Sequence, residues 1–180
     1  MAPDTVEIDA ARRIARLRGA ASGGVITGTD KVRSGFGNGD CILLDFKHGV
    51  YAVADGSERF PWASRDLLMR LRSSLSRSGA PGTLGEWIAM LNDEVYSGQK
   101  YQHKTTFSCV AVAGDGAERT LFIAHGGDSA VTIVDPSSGA FLFQTGRDMN
   151  FAGRSKMIAD CTEHRIAERG LRVVVSTDGF

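Results

Sequence analysis

The sequence predicts an α+β fold in which helices cover antiparallel sheet. Three observations carry this prediction. Short apolar runs of strand length alternate with turn signals built from Gly, Asp and Pro; two stretches in the first half place apolar residues at helical spacing; and from Thr105 onward the pattern returns to strands. At 180 residues, with 42% hydrophobic content, the chain is one domain's worth and carries enough apolar matter for a core.

Residues 5–18 read as a helix, because Ile8, Ala11, Ile14, Ala15 and Leu17 roughly share one face while Arg12, Arg13, Arg16 and Arg18 cover the rest. Residues 1–20 are therefore set apart as a leader, either a loose terminus with a solvated basic face or a docking helix for a partner, and 21–180 form the main domain. Residues 23–29 predict a short strand. Residues 31–39 form a Gly-rich loop without the Gly-x-x-x-x-Gly-Lys-Ser/Thr pattern of a Walker phosphate loop. Two strands, 41–46 and 50–54, follow with Lys47, His48 and Gly49 between them, which predicts a hairpin. Because the far ends of a hairpin lie side by side, Asp40 is expected beside Asp55.

The stretch 61–76 predicts an amphipathic helix, with Pro61 near its start and Leu67, Leu68, Leu71 and Leu75 on one face. A second helix is expected over 83–96, opened by a Thr83/Glu86 capping box and striped by Trp87, Ile88, Leu91 and Val95. Both stripes read as core. Beyond them, 105–113, 120–124, 130–134 and 140–144 predict an antiparallel meander, with turns at Asp115-Gly116 and 136–139. Residues 163–168 read as an edge strand and 171–176 as the last apolar run.

Lys+Arg and Asp+Glu each number 21, so the formal net charge is zero and nothing overall draws the chain to nucleic acid or anionic lipid. Partners must follow from sites. The cysteines, Cys41, Cys109 and Cys161, are odd in number and widely spaced, which points to a reducing compartment. No 18-residue apolar segment and no apolar leader core are found, so neither a membrane span nor a secretory signal is predicted, and the expected location is the cytoplasm.

Acidic residues recur at the ends of apolar runs: Asp40, Asp55 before Gly56, Asp128 after Gly126-Gly127, and Asp178 before Gly179. Each Asp-Gly alone is a turn signal. Together they suggest a site for a hard cation, since carboxylate and carbonyl oxygens suit Mg²⁺ and Mn²⁺, whereas the four histidines lack the spacing of a zinc site.

The order of these motifs resembles that of the metal-dependent PPM-type (type 2C) serine/threonine protein phosphatases. It runs Asn38-Gly39-Asp40, Val53-Ala54-Asp55-Gly56, Thr105-Thr106, Gly127-Asp128-Ser129 and Ser176-Thr177-Asp178-Gly179, with two helices between the second and third. The resemblance covers roughly residues 23–180 and implies a four-layer α-β-β-α sandwich, two antiparallel sheets flanked by helices, with a two-metal centre at one end. It implies Mn²⁺ or Mg²⁺ as cofactor, two ions and a third weak site. By the same resemblance, Asp55 bridges both ions, the carbonyl of Gly56 binds the second, Asp178 binds the first, Asp40 orients metal-bound water, Asp128 serves the third metal and Arg33 is the candidate phosphate-binding residue. The implied activity is hydrolysis of phosphoserine or phosphothreonine on a phosphoprotein substrate.

The sequence departs from that pattern at four places. Gly39 stands where the family has an acid, and Ser57-Glu58-Arg59-Phe60 replaces a Gly-rich, His-containing continuation. Arg33 sits further upstream of Asp40 than the pattern places its arginine. The chain stops at Phe180, ahead of the family's closing strand with its Asp-Asn pair. The expectation is a domain missing its C-terminal part, whose exposed sheet is covered by that segment or by a partner. The alternative functional reading is a catalytically impaired pseudophosphatase acting as a regulatory or binding module; a further one is an unrelated α+β domain whose Asp-Gly pairs are only turns.

Overall fold

The structure is a computed structural model that describes residues 5–8, 14–17, 21–26, 37–114, 119–158, 160–166 and 170–178. Its elements run β1 (Thr5–Ile8), β2 (Ile14–Leu17), β3 (Ala21–Gly24), β4 (Asp40–Asp45) and β5 (Val50–Asp55), then α1 (Ala63–Ser78) and α2 (Leu84–Met90), which continues as a π-helical turn over Leu91–Tyr96. There follow β6 (Phe107–Ala113), β7 (Thr120–Gly126), β8 (Ala130–Val134), β9 (Phe141–Gln144), β10 (Asp160–Arg165) and β11 (Arg172–Ser176). Six strands form one antiparallel sheet in the order β1-β4-β5-β6-β7-β10, three form a second in the order β11-β8-β9, and β2 pairs with β3 alone.

The alternation of side chains explains the layering, since successive residues of a strand point to opposite faces. On β5, β6 and β7, Ala52, Ala54, Phe107, Cys109, Phe122 and Ala124 point to one side and join Leu67, Leu68, Leu71 and Leu75 of α1 and Trp87 and Leu91 of the second helix. Tyr51, Val110, Leu121 and Ile123 point to the other side and meet Val131 and Ile133 of β8, with Val173 and Val175 of β11. The large sheet is thus buried on both faces. Each of the four α1 leucines is fully buried, a contribution of about 1.5–3 kcal/mol apiece relative to exposure. The described residues therefore stack helices, six-stranded sheet and three-stranded sheet, three layers of the expected α+β sandwich.

Local chemistry sets the elements. The β4–β5 hairpin closes through Asp45, whose Oδ1 accepts from the backbone N–H of His48 at 3.0 Å and whose Oδ2 lies 2.8 Å from His48 Nδ1, while Gly49 takes a φ of +66°. The second helix starts at the predicted cap: Thr83 Oγ1 accepts from the N–H of Glu86 at 3.3 Å. The return arm of the box goes one residue further, Glu86 Oε2 accepting from the N–H of Gly82 at 3.0 Å.

Two expectations are corrected. Within the helix expected over 5–18, the described residues are strands: Thr5–Ile8 pairs with β4, Ile8 opposite Ile42, and Ile14–Leu17 pairs with β3. The physical reason is the open edge of β4, whose unpaired backbone groups reward a strand more than an isolated basic helix rewards itself. The strands after Thr105 are not one meander, since β7 and β8 lie in different sheets. Gly127, at φ +96°, makes the change of direction between them. Arg33, Gly179, the Asp115-Gly116 turn and most of the predicted Gly-rich loop lie outside the described residues.

Candidate metal and phosphate site

The predicted acids sit at strand ends on one rim. Asp40 opens β4 and Asp55 closes β5, and the register of that pair sets them directly opposite each other, so two carboxylates meet on adjacent strands about 4.5–5.5 Å apart at Cα. The backbone fixes this closely. Gly56 N–H donates to Gly39 O at 2.9 Å, and Ser64 Oγ at the start of α1 donates to the same carbonyl at 2.5 Å. A Cβ at position 39 would stand 2.3 Å from Gly56 O and 3.0 Å from Asp55 Oδ1. Glycine at 39, where the phosphatase pattern has an acid, is therefore the residue that the approach of the Gly56 carbonyl and the Asp55 carboxylate allows.

The motif that opens the next strand is tied to the same place. The N–H of Asp55 donates to Thr106 Oγ1 at 2.9 Å, and the N–H of Thr106 donates to Asp55 O, also at 2.9 Å. Thr106 Oγ1 lies 2.5 Å from Ser129 Oγ, which is buried. One threonine hydroxyl thus joins the Ala-Asp-Gly and Gly-Asp-Ser elements. Asp148 anchors the latter further: its Oδ1 accepts from Gly127 N–H and Asn150 N–H, each at 2.7 Å.

Asp178 reaches the same end of the molecule by register. Ser176 pairs with Ala130, so Asp178, two residues beyond, flanks Asp128, two residues before. Asp178 is exposed and Asp128 half-buried. The placement unites Asp40 with Asp55 and Asp128 with Asp178 in register. It does not gather them into one cluster: among the described residues no group of three or more His, Cys, Asp or Glu side chains is close enough to hold a metal ion. The donors at the first pair, two carboxylates and the Gly56 carbonyl, are all oxygens and fit a hard cation in kind.

The sequence reading missed Thr106 and Ser129 as a bridge, Asp148 as an anchor, and the reason for Gly39. The pairing of two hydroxyl residues 23 positions apart leaves no local pattern to read. Among the described residues no helix is long and apolar enough to cross a membrane.

The fold has known counterparts. No family model matches the chain, and no curated protein matches it in sequence. Solved structures do. The catalytic domain of the serine/threonine protein phosphatase PstP in complex with two manganese ions is 17% identical, at a TM-score of 0.64 over 97% of this chain and 77% of that one. The Mycobacterium tuberculosis serine/threonine phosphatase PstP/Ppp is 15% identical, at a TM-score of 0.50 over 97% and 74%. The S. agalactiae serine/threonine phosphatase is 21% identical, at a TM-score of 0.51 over 78% of this chain and 68% of that one. The fold of this chain is that of the PPM-type serine/threonine phosphatase domains.

Proposed function

We propose that this chain is a metal-dependent protein phosphatase that hydrolyses phosphoserine and phosphothreonine. The observation that carries the reading is the pairing of Asp40 with Asp55 beside the Gly56 carbonyl, on a fold shared with phosphatases of which one binds two manganese ions. In this reading Asp55, Gly56 and Asp178 hold two ions, Mn²⁺ or Mg²⁺, with Asp128 at a weaker third site. Such ions supply Lewis-acid charge for the phosphoryl oxygens and lower the pKa of a water nucleophile. The chain's own part is positional. Thr106 and Gly39 hold the Asp55 backbone so that its carboxylate faces the rim, Asp40 accepts a proton-bearing hydrogen bond from water at that rim, and Arg33 is the candidate to bind phosphate.

The compartment proposed is the cytoplasm, supported by three cysteines that are all free thiols. The outer face of the small sheet, where Phe141, Leu142 and Val174 are exposed, supports further polypeptide lying over it, from a C-terminal segment or a partner.

Hydrolysis of p-nitrophenyl phosphate tests the proposal. We expect turnover that requires Mn²⁺ and falls at least a hundredfold in Asp55→Asn, with an unchanged circular dichroism spectrum. A second reading, a pseudophosphatase that binds without hydrolysing, is favoured by the lack of a three-acid cluster among the described residues. Folded protein inert at millimolar Mn²⁺ would select it.

A further inference from the structure

A cleft of about 820 Å³ opens beside the acidic rim, and its lining includes Ser57, Glu58, Arg59, Tyr101, Lys104 and Arg154. Three of these side chains are cations and one is an anion. The cations come from three separate parts of the chain, the turn after β5, the approach to β6 and the loop before β10. Among the described residues, none of Arg59, Lys104 and Arg154 is held in an ion pair. Three cations against the one anion, Glu58, leave the lining with an excess of positive charge, and within a cleft such an excess focuses a positive potential that draws in anions.

The cleft is built rigidly and starts at the site. Ser57 directly follows Gly56, and its N–H donates to Lys104 O at 2.9 Å; Gly56 bridges to Thr105, and Thr105 to Ala152. Those contacts fix the three cation-bearing segments to the rim. Gln102, at φ +70°, is the one residue other than glycine with a positive φ among the described residues, and its N–H donates to Gly153 O at 3.0 Å. A Cβ on Gly153 would stand 2.4 Å from His103 O, so the two loops pack backbone to backbone. The ring of Phe60 stacks on His103 at 4.3 Å between centroids, and Tyr101 stands exposed at the edge.

We propose that this cleft selects the substrate: it binds acidic side chains, or a second phosphoryl group, next to the phosphoresidue of the target protein. The proposal rests on the phosphatase reading of the adjoining rim. An extended peptide advances about 3.3–3.6 Å per residue, so with its phosphoryl group at the rim, side chains a few residues away lie over Arg59, Lys104 and Arg154. Arginine suits this role because its planar fork meets carboxylate or phosphate with two hydrogen bonds.

The test compares two phosphothreonine peptides, one with three acidic residues beside the phosphothreonine and one with three glutamines there. It uses the whole chain and the variant Arg59→Ala/Lys104→Ala/Arg154→Ala, with p-nitrophenyl phosphate as the substrate too small to reach the cleft. We expect kcat/KM to favour the acidic peptide by about tenfold, of the order that three exposed ion pairs supply, with the preference shrinking as salt is raised. The variant should lose that preference and keep its turnover of p-nitrophenyl phosphate. Turnover of the small substrate with equal use of both peptides would overturn the cleft proposal and leave the phosphatase reading standing. Should the small substrate not be turned over, the phosphatase reading fails, and fluorescence anisotropy of the labelled peptides decides for the cleft: tighter binding of the acidic peptide, lost in the variant, supports it, and equal binding overturns it. Displacement of the acidic peptide by an equal concentration of single-stranded oligonucleotide would also overturn it, as the mark of a general polyanion surface.

Discussion

The two faces that bracket this domain are made from the same kind of strand and end differently. The face of the six-stranded sheet toward the helices is closed by α1 and the second helix, with Leu67, Leu68, Leu71, Trp87 and Leu91 fully buried. The outer face of the three-stranded sheet is left bare by the described residues, and Val174 and Phe141 are exposed on its strands. Alternation puts Val173 and Val175 inward and Val174 outward, so an apolar residue appears where a two-layer sandwich would carry a polar one. The difference teaches that one face of the fold is closed by its own helices, while the described residues leave apolar side chains exposed on the other.

Substitutions at matched positions turn this into a measurement. Leu71→Ala should cost about 2–5 kcal/mol of unfolding free energy in urea, since it leaves a cavity between helix and sheet. Val174→Thr should change it by less than about 0.5 kcal/mol in this chain. A large loss at Val174 would mean that the outer face is already covered, and the contrast between the faces would collapse.

The rim where the acids meet belongs to the closed half. Gly39→Ala forces a methyl group against the Gly56 carbonyl, and overpacking of this kind costs about 1–3 kcal/mol. Because the group that must yield is also the proposed metal ligand, Mn²⁺ affinity should fall in the same variant. A Gly39→Ala protein with native stability and native Mn²⁺ affinity would show that the close approach does not hold the rim.

The edge of the closed half gives the smallest effect. Cys161 on β10 packs against the helix-side core, and burial, followed by the charge of Asp160, pushes its thiol up to about 12. A raised thiol pKa favours the protonated folded form. Stability is therefore unaffected below the unfolded thiol's pKa near 9 and declines as pH rises from there toward 12. Iodoacetamide at pH 8 should label Cys161 far more slowly in the native protein than in urea. Equal rates would place this thiol in an open edge.

Where local chemistry specified the structure, it could be read from the residues. The hairpin of β4 and β5 followed from its turn, and with it the meeting of Asp40 and Asp55; the leucine stripe of α1 and the Thr83 cap followed from spacing. The misread segments are those that tertiary pairing decides. Residues 5–18 carry an apolar pattern that fits a helix, yet the vacant edge of β4 takes Thr5–Ile8 as strand, and Ile14–Leu17 pairs with β3. The passage from β7 to β8 looks like any hairpin turn, because a turn signal does not say which sheet the next strand enters. The basic cleft was likewise invisible, its cations being separated by 45 and 50 positions along the chain before backbone contacts bring them together.

Titration of Mn²⁺ into the protein, followed by electron paramagnetic resonance, tests the central claim most directly. The account predicts saturable binding that weakens at least tenfold in Asp55→Asn, because the acid shared by the proposed ions is lost. Binding of equal strength in both proteins would place the metal elsewhere and contradict the assignment of this rim.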